Sequence, residues 1–278
     1  MTATATATPV LSLRGISKRF GAVQALTDAE IDIMPGEVVA LVGDNGAGKS
    51  TLVKVISGVG PANDGTIEWE GQEVSITGPK DAQKLGIATV YQDLALADNL
   101  DVVGNLFLGQ EVRHGGVLDD IDMERRAREL LETLSVKIPS VRTQVASLSG
   151  GQRQSVSIAR SLLGEPKVVM LDEPTAALGV AQTAEVLALI RRLKERGYGL
   201  LLISHNLADI FEVADRIVVL RLGRNAGVFD AHSDSSEDVV AAITGATDSA
   251  ALQRERARIG RGGGHPSEPG SGDEAVQS

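Results

Sequence analysis

The chain has 278 residues, of which 42% are hydrophobic and 23% charged, as in an ordinary globular protein. Its formal net charge of −10 argues against a nucleic-acid partner, since such partners require a basic surface. There is no cysteine, which excludes disulfides and cysteine-ligated metal sites. No stretch approaches about 18 consecutive apolar residues, and residues 1–9 lack the pattern of a signal peptide. We therefore expect neither a membrane span nor a secretory leader.

Hydrophobic periodicity and turn residues predict alternating strands and helices. In chain order, we predict strands at residues 10–14, 27–34, 37–42, 66–70, 73–76, 86–91, 168–171, 200–203, 216–221 and 225–229. We predict helices at residues 51–56, 79–85, towards the end of 94–110, then at 122–134, 152–163, 181–196, in a segment ending near 214, and at 236–243. Residues 111–120 are predicted to be a loop. This alternation indicates a doubly wound α/β core with inserted subdomains.

The ends of the chain differ in composition from the rest. Residues 246–278 are rich in Gly, Ser, Arg, Glu and Pro and cannot bury enough apolar surface to order themselves. We therefore predict a disordered N-terminus at residues 1–9, a folded unit at residues 10–245 and a disordered polar tail at residues 246–278.

The first motif lies between a predicted buried strand and a predicted helix. It fits G-x-x-x-x-G-K-[ST] and consists of Gly43, Asp44, Asn45, Gly46, Ala47, Gly48, Lys49, Ser50 and Thr51. Phosphate anions bind where backbone N–H groups converge on a helix N-terminus, and glycine lets the backbone approach them closely. Lys49 can reach the β- and γ-phosphates, and the Ser50 hydroxyl can ligate Mg²⁺. The motif predicts a nucleoside triphosphate site.

Several polar residues follow predicted strands further along the chain. Asp172 and Glu173 fit a Mg²⁺-binding carboxylate followed by an acid that orients the attacking water, although a charged turn is the alternative. His205 could contact the γ-phosphate, but a lone histidine is more often structural. Gln92 carries no signal by itself. Phe20 is either a stacking platform for adenine or a satellite core residue under a loop.

Residues 148–152, Leu-Ser-Gly-Gly-Gln, by themselves predict a serine-capped helix start preceded by a turn. All five positions also match the signature of ATP-binding cassette (ABC) ATPases, between the phosphate-binding loop and the Asp172 strand as in that family. From about residue 10 to 245 the chain resembles this family throughout, with all of its motifs in the family's order. The resemblance implies a P-loop NTPase fold with a RecA-like core, an antiparallel β subdomain and a helical signature subdomain at about residues 94–165.

The resemblance also implies roles at the nucleotide. ATP and Mg²⁺ are the implied cofactors, with Phe20 stacking on adenine and Mg²⁺ held by Ser50, Gln92 and Asp172. Glu173 is implied as the general base and His205 as the γ-phosphate switch.

In this family the signature acts on a second subunit. The resemblance implies that Ser149, Gly150, Gly151 and Gln152 face the ATP of an opposite cassette, which is most simply a second copy in a C2 arrangement.

Residues 91–96, 105–109 and 173–179 are similar to bacterial monosaccharide importer cassettes of the ribose, xylose and fructose type. That subclass implies a peripheral protein at the cytoplasmic face of the membrane, working with two permeases and indirectly with an extracellular sugar-binding protein. Gly179 departs from the family's usual Asp, which puts the coupling between the two ATP sites in doubt. The alternatives are a cassette for another solute, an exporter, or a non-transport ABC ATPase of DNA repair or translation.

Overall fold

The computed structural model describes residues 8–246. Its strands are β1 (Leu11–Phe20), β2 (Val23–Ile33), β3 (Val38–Val42), β4 (Asp64–Trp69), β5 (Gln72–Val74), β6 (Ile87–Val90), β7 (Arg113–His114), β8 (Val117–Leu118), β9 (Val168–Asp172), β10 (Gly199–Ile203), β11 (Arg216–Arg221) and β12 (Arg224–Asp230). Its helices are α1 (Lys49–Ile56), α2 (Pro79–Leu85), α3 (Val102–Phe107), α4 (Asp120–Thr133), α5 (Gly150–Leu162), α6 (Val180–Glu195), α7 (Leu207–Val213) and α8 (Ser236–Thr244), with a 3₁₀ turn at Val145–Ser147.

A six-stranded sheet in the order β12-β11-β3-β10-β9-β6 forms the centre of the fold. Its strands pair in parallel, except that β12 runs antiparallel to β11. β3 is buried at every position, because both faces of the sheet are covered. Val38 and Val42 pack into a cluster with α3 to α7, whereas Val39 and Leu41 pack into a cluster with α1 and the second sheet. The strand is therefore a continuous apolar run, as its sequence predicts.

A four-stranded antiparallel sheet in the order β2-β1-β4-β5 covers one face of the central sheet. Leu11 of β1 is fully buried and lies opposite Ile33 on one side and Trp69 on the other. β2 reaches the phosphate-binding motif, since a β-carbon on Gly48 would lie 2.7 Å from Leu26 Cδ2. The predicted hairpin at residues 66–76 is confirmed by β4 and β5.

Two short regions differ from the prediction. Residues 111–120 are not all loop, because β7 and β8 form a small hairpin around Gly115 and Gly116, whose positive φ angles of 59° and 86° suit a tight hairpin turn. β1 and β2 extend further than predicted, and Phe20 pairs with Val23 at the turn of their hairpin. Phe20 is therefore not a core residue under a loop.

The predicted boundaries of the folded unit and of its helical subdomain stay a prediction. α3, β7, β8, α4 and α5 all fall within residues 94–165. The predicted disorder at the two ends falls almost wholly outside the described residues. Within residues 8–246, no helix combines the length and the apolar character needed to span a membrane.

Candidate active site

Four neighbouring parallel strands of the central sheet end at the same edge, and each carries part of the candidate site. β3 leads into the phosphate-binding loop, β10 towards His205, β9 into Asp172 and Glu173, and β6 towards Gln92. Ligands of open α/β sheets bind beyond the carboxyl ends of the strands. The sheet therefore gathers on one edge residues that lie far apart in sequence.

The loop between β3 and α1 has the backbone form of a phosphate-binding loop. Gly48 caps α1 with a φ of 108°, a conformation that side chains rarely adopt. Gly43 has a φ of 150°, and a β-carbon there would lie 2.2 Å from Leu220 O. The Lys49 ammonium lies inside the loop and donates to Gly43 O at 2.6 Å and to Asp44 O at 3.1 Å. The loop thus places a cation and the N-terminus of α1 together, as anion binding requires.

The Asp172 carboxyl lies under the influence of two charged neighbours, Glu173 and Lys49. Burial raises the pKa of the Asp172 carboxyl, the charge of Glu173 raises this pKa further, and Lys49 opposes the rise. A bound Mg²⁺ would relieve this unfavourable charge, so the electrostatics fit such a cation. Among residues 8–246 no group of three or more His, Asp or Glu side chains could hold a metal. Mg²⁺ sites commonly use one or two carboxylates with substrate phosphates and water, so Asp172 with the Ser50 hydroxyl and the Gln92 carboxamide is a chemically adequate donor set.

Glu173 has an unusual environment. Its backbone is in the left-handed region, with a φ of 50°, and its side chain is 16% exposed. His205 Nδ1 lies 2.8 Å from Glu173 Oε2, but the contact lacks hydrogen-bond geometry, and this oxygen has no hydrogen-bond partner within the described residues. A buried acceptor without a partner is costly unless a water or ligand reaches it. Glu173 Oε2 is therefore suited to receive a hydrogen bond from a water molecule.

The loop after β9 is held from the neighbouring strand and helix. Glu173 N donates to Ile203 O at 2.9 Å, which keeps the ends of β9 and β10 together. Thr175 Oγ1 donates to Asp209 Oδ2 at 2.6 Å, and Asp209 is buried on α7, just after His205. Sequence reasoning missed Asp209, because nothing in a single sequence marks one acid of a short helix as a partner of this loop.

Phe20 and Gln92 are both exposed. The Phe20 side chain is 51% exposed, and Lys18 Nζ lies 5.3 Å from its ring centroid, so a cation occupies one side of the ring. The hairpin that carries Phe20 includes β2, which contacts the phosphate-binding loop at Leu26. Gln92 follows β6, whose Val90 pairs with Leu171, next to Asp172.

The signature segment forms the N-terminus of α5. Ser149 is the cap, since its Oγ accepts from Gln152 N at 3.2 Å while Gln152 Oε1 accepts from Ser149 N at 3.0 Å. A β-carbon on Gly151 would lie 3.0 Å from Gln182 Cβ, so this glycine lets α5 pack closely against the start of α6. The two signature glycines lie against Leu178 and Gln182, and Gln152 Nε2 donates to Lys137 O at 3.0 Å.

Comparison with known proteins decides the family. The profile of the family described as "ABC transporter" matches residues 26–176, more than half of the chain. The chain belongs to the ABC transporter family. The predicted ABC ATPase is thereby confirmed, and we call the chain a cassette from here on.

Three curated relatives carry names of sugar importers. The fructose import ATP-binding protein FrcA of Rhizobium meliloti is 46% identical over 86% of this cassette and 95% of that protein. The xylose/arabinose import ATP-binding protein XylG of Sulfolobus acidocaldarius is 47% identical over 77% of this cassette and 86% of that protein. A ribose import ATP-binding protein of Rubrobacter xylanophilus is 43% identical over 82% of this cassette but only 46% of that protein, so this cassette spans about half of its length.

Solved structures confirm the predicted fold. A nucleotide-free ATP-binding cassette from an ABC transporter has a TM-score of 0.72 and 26% identity, with coverage of 84% of this cassette and 98% of that chain. The ADP conformation of the cassette MJ1267 has a TM-score of 0.74 and 26% identity, with coverage of 85% and 95%.

A groove of about 450 Å³ lies beside the Gln92 segment. Its walls are α2, β6, Tyr91, residues 93–95, residues 108–110 and the second half of α5. Tyr91 stands at the groove with 43% of its surface exposed, and Leu108 with 42%. The groove therefore presents apolar side chains next to Gln92, the candidate site residue that follows β6.

Proposed function

We propose that this cassette hydrolyses Mg-ATP to drive import of a monosaccharide through membrane permeases. The observation that carries the proposal is the buried Glu173 Oε2, which lies 2.8 Å from His205 Nδ1 but has no hydrogen-bond partner among the described residues. It occurs in a chain that is 46% identical to a fructose import ATP-binding protein over 95% of that protein's length. The first of these supports hydrolysis and the second supports the substrate class.

The proposed chemistry follows from the side chains around the loop. The β- and γ-phosphates lie at the N-terminus of α1 against Lys49, and Phe20 stacks on the adenine with the ring face that Lys18 leaves open. Ser50, Gln92 and Asp172 would hold Mg²⁺, which when bound would neutralise charge on the phosphates. Glu173 Oε2 accepts a hydrogen bond from the attacking water and takes its proton as the water oxygen bonds to the γ-phosphorus and the bond to the bridging oxygen breaks. His205 donates to the γ-phosphate from the exposed side of Glu173.

We propose that each bound ATP is also contacted by the signature segment of a second cassette. Ser149 Oγ accepts from Gln152 N, so its own proton remains available to a phosphate oxygen, and Gly151 N lies in the first turn of a 13-residue helix. Ser149 is exposed at this positive helix end. A second copy in a C2 arrangement would place each signature against the other copy's phosphate-binding loop.

We propose that the groove beside Gln92 receives a cytoplasmic segment of the permease. Its apolar rim of Tyr91 and Leu108 suits an apolar side chain of a partner, and its wall includes the residues that directly follow the Mg²⁺ ligand Gln92. In this arrangement the cassette lies at the cytoplasmic face of the membrane, and an extracellular sugar-binding protein delivers the sugar to the permeases.

The test is the ATPase activity of the cassette reconstituted with its permeases, with and without sugar-binding protein and candidate pentoses and hexoses. We expect one loaded binding protein to raise turnover, and Glu173→Gln to lower it by about 10²- to 10³-fold, since the variant cannot take the proton. Glu195→Gln, at an exposed position on α6, is the matched control and should retain wild-type turnover.

Two results separate the parts of the proposal. Turnover that ignores every sugar but still requires Glu173 would keep the ATPase and reject the sugar, leaving another solute as substrate. Turnover that is unchanged in Glu173→Gln would reject the assignment of the base. A role in DNA repair or translation is not favoured, because the curated relatives named above are import proteins.

A further inference from the structure

The segment at residues 93–101, between Gln92 and α3, is fixed at its far end by one buried side chain. Asn105 is fully buried on α3. Its Oδ1 accepts from Ala97 N at 2.7 Å. Its Nδ2 donates to three carbonyls of the segment, Ala97 O at 2.9 Å, Asp101 O at 3.0 Å and Leu100 O at 3.3 Å. This end of the segment therefore belongs to α3 as one rigid piece.

The near end of the same segment is held by α5, the helix that begins with the signature. Ser157 Oγ donates to Leu94 O at 3.3 Å, and Arg160 Nη1 donates to Ala95 O at 2.9 Å. These are the second and third residues after Gln92. We call Ser157 and Arg160 the carbonyl clamp.

The clamp holds a backbone conformation that the sequence does not favour. Ala95 has a φ of 48°, in the left-handed region, which an alanine adopts only at a cost. The guanidinium of Arg160 bonds to the carbonyl of that same residue. Because a hydrogen bond from a charged donor is stronger than a neutral one, Arg160 stabilises the left-handed turn.

The clamp and the signature lie on one rigid element. α5 is a single 13-residue helix that runs from the Ser149 cap past Arg160. At about 1.5 Å per residue, Ser157 and Arg160 lie about 12 Å and about 16 Å from the Ser149 cap on the same helix. Ser157 and Arg160 also form a wall of the groove beside Gln92. A rigid-body shift of α5 at the signature end therefore moves that wall.

We propose that the carbonyl clamp is the positioning device that transmits nucleotide-dependent motion of the signature helix to the residues following Gln92. Ser157 and Arg160 touch no reacting atom. They act through the backbone of Leu94 and Ala95, so that the groove wall follows α5. The proposal deepens the function proposed above and rests on it for what binds in the groove.

The test measures amide hydrogen exchange in the full chain, in a Glu173→Gln background, with and without Mg-ATP. In that background we expect Mg-ATP to change exchange of residues 93–97 by about fivefold. With Ser157→Ala and Arg160→Ala together, we expect this ATP-dependent change to fall below about twofold. Protection of the phosphate-binding loop at residues 43–51 by ATP should persist, which shows that the nucleotide still binds.

Two further variants separate positioning from a general effect on folding. Ser161→Ala is the matched control, because its hydroxyl lies on the same helix but donates only to Ile158 O within that helix. It should keep the full response. Ala95→Gly, added to the clamp variant, should leave the response below about twofold, since glycine removes the cost of the left-handed turn but restores no hydrogen bond to α5. A restored response would show that the clamp only relieves strain and would overturn the proposal.

The proposal is overturned if the clamp variant keeps the full ATP-dependent change, or if Ser161→Ala removes it equally. If the alanine variants fail to fold, the pair Ser157→Thr and Arg160→Lys decides, since both keep a donor, and loss of the response in that folded pair also overturns the proposal. The measurement needs only the cassette and Mg-ATP. Its result is therefore independent of whether any sugar stimulates the reconstituted transporter.

Discussion

Replacing Asn105 tests how much one buried carboxamide contributes to the stability of this cassette. The side chain makes four hydrogen bonds to the backbone of residues 97–101 and has no exposed surface. Because Nδ2 carries two hydrogens, its three contacts count as two full hydrogen bonds, and with the bond to Oδ1 they contribute about 3 kcal/mol to the free energy of unfolding at about 1 kcal/mol each. Leucine has the same branched shape with larger end groups and returns about 1 kcal/mol through apolar burial, but it leaves Ala97 N without its acceptor, which costs about 1 kcal/mol. We therefore expect Asn105→Leu to cost about 3 kcal/mol.

The assay is urea unfolding followed by circular dichroism, with Tm measured in parallel. For a protein of this size, about 3 kcal/mol corresponds to a fall in Tm of about 6–12 °C. Asn99→Leu, in the same loop but at an exposed position, is the control and should change the free energy of unfolding by less than about 0.5 kcal/mol. The reasoning is refuted if Asn105→Leu costs less than about 1 kcal/mol.

Asn105→Asp provides a second test, in which the loss of stability relative to wild type should depend on pH. The carboxylate still accepts from Ala97 N, but its other oxygen faces the carbonyls of Ala97, Leu100 and Asp101. Burial without a donor favours the protonated acid, so the pKa of the new carboxyl should rise in the folded state. Stability relative to wild type should then improve as the pH falls. A constant deficit across pH would contradict this account of the four bonds.

Three other substitutions follow from the geometry. Gly151→Ala should lower the free energy of unfolding by about 1–3 kcal/mol and reduce ATPase activity, because the new β-carbon would lie only 3.0 Å from Gln182 Cβ. Gly164→Ala is the control, since no atom lies within 4 Å of its β-carbon position. In the same thermal and ATPase assays it should be neutral or slightly stabilising. Lys194→Met should cost about 1 kcal/mol at neutral pH by removing the partner of Asp215. Burial alone would raise the Asp215 pKa, but the hydrogen bonds from Lys194 and from Val38 N outweigh burial and lower this pKa. The ion pair therefore contributes its full stabilisation above the usual aspartate pKa, and this stabilisation is lost as the pH falls through the lowered pKa. Urea unfolding of wild type and Lys194→Met should therefore converge at acid pH, and a difference that grows on acidification would contradict this sign. Gly179→Asp should change the free energy of unfolding of the isolated cassette by only a few tenths of a kcal/mol, since aspartate and glycine are both good helix N-caps. The cooperativity of its ATPase activity measures whether the added carboxylate couples the two ATP sites of a dimer.

The edge of the sheet and its residues could be predicted because they depend on local pattern. The short apolar run at residues 38–42, directly before a glycine-rich motif, predicts a buried strand, and the glycines and Lys49 that follow it mark the loop. Parallel strands end at one edge, so predicting strands before Gln92, Asp172 and His205 already predicts that these residues share that edge. The structure confirms this arrangement of strands.

Contacts between distant segments could not be predicted in this way. Asn105 looks like an ordinary polar residue in an apolar stretch, and its four partners become apparent only when residues 97–101 turn back over α3. The pairing of Thr175 with Asp209 depends on the relative position of two loops and a helix. The β7–β8 hairpin was missed because its strands have only two residues each, too few to show a period.

Backbone strain links the two loops that flank the candidate γ-phosphate position. Among the described residues, Ala95, Glu173 and Ala177 are non-glycine residues with φ angles of 48°, 50° and 59°, and all three lie in the loops that follow β6 and β9. Such conformations persist only where the surroundings fix them. Here Arg160 bonds to Ala95 O, Ile203 O accepts from Glu173 N, and Thr175 is tied to Asp209. The partners that hold these turns lie on or beside α5, β10 and α7, so the positions of Glu173 and of the groove wall depend on where these three elements lie.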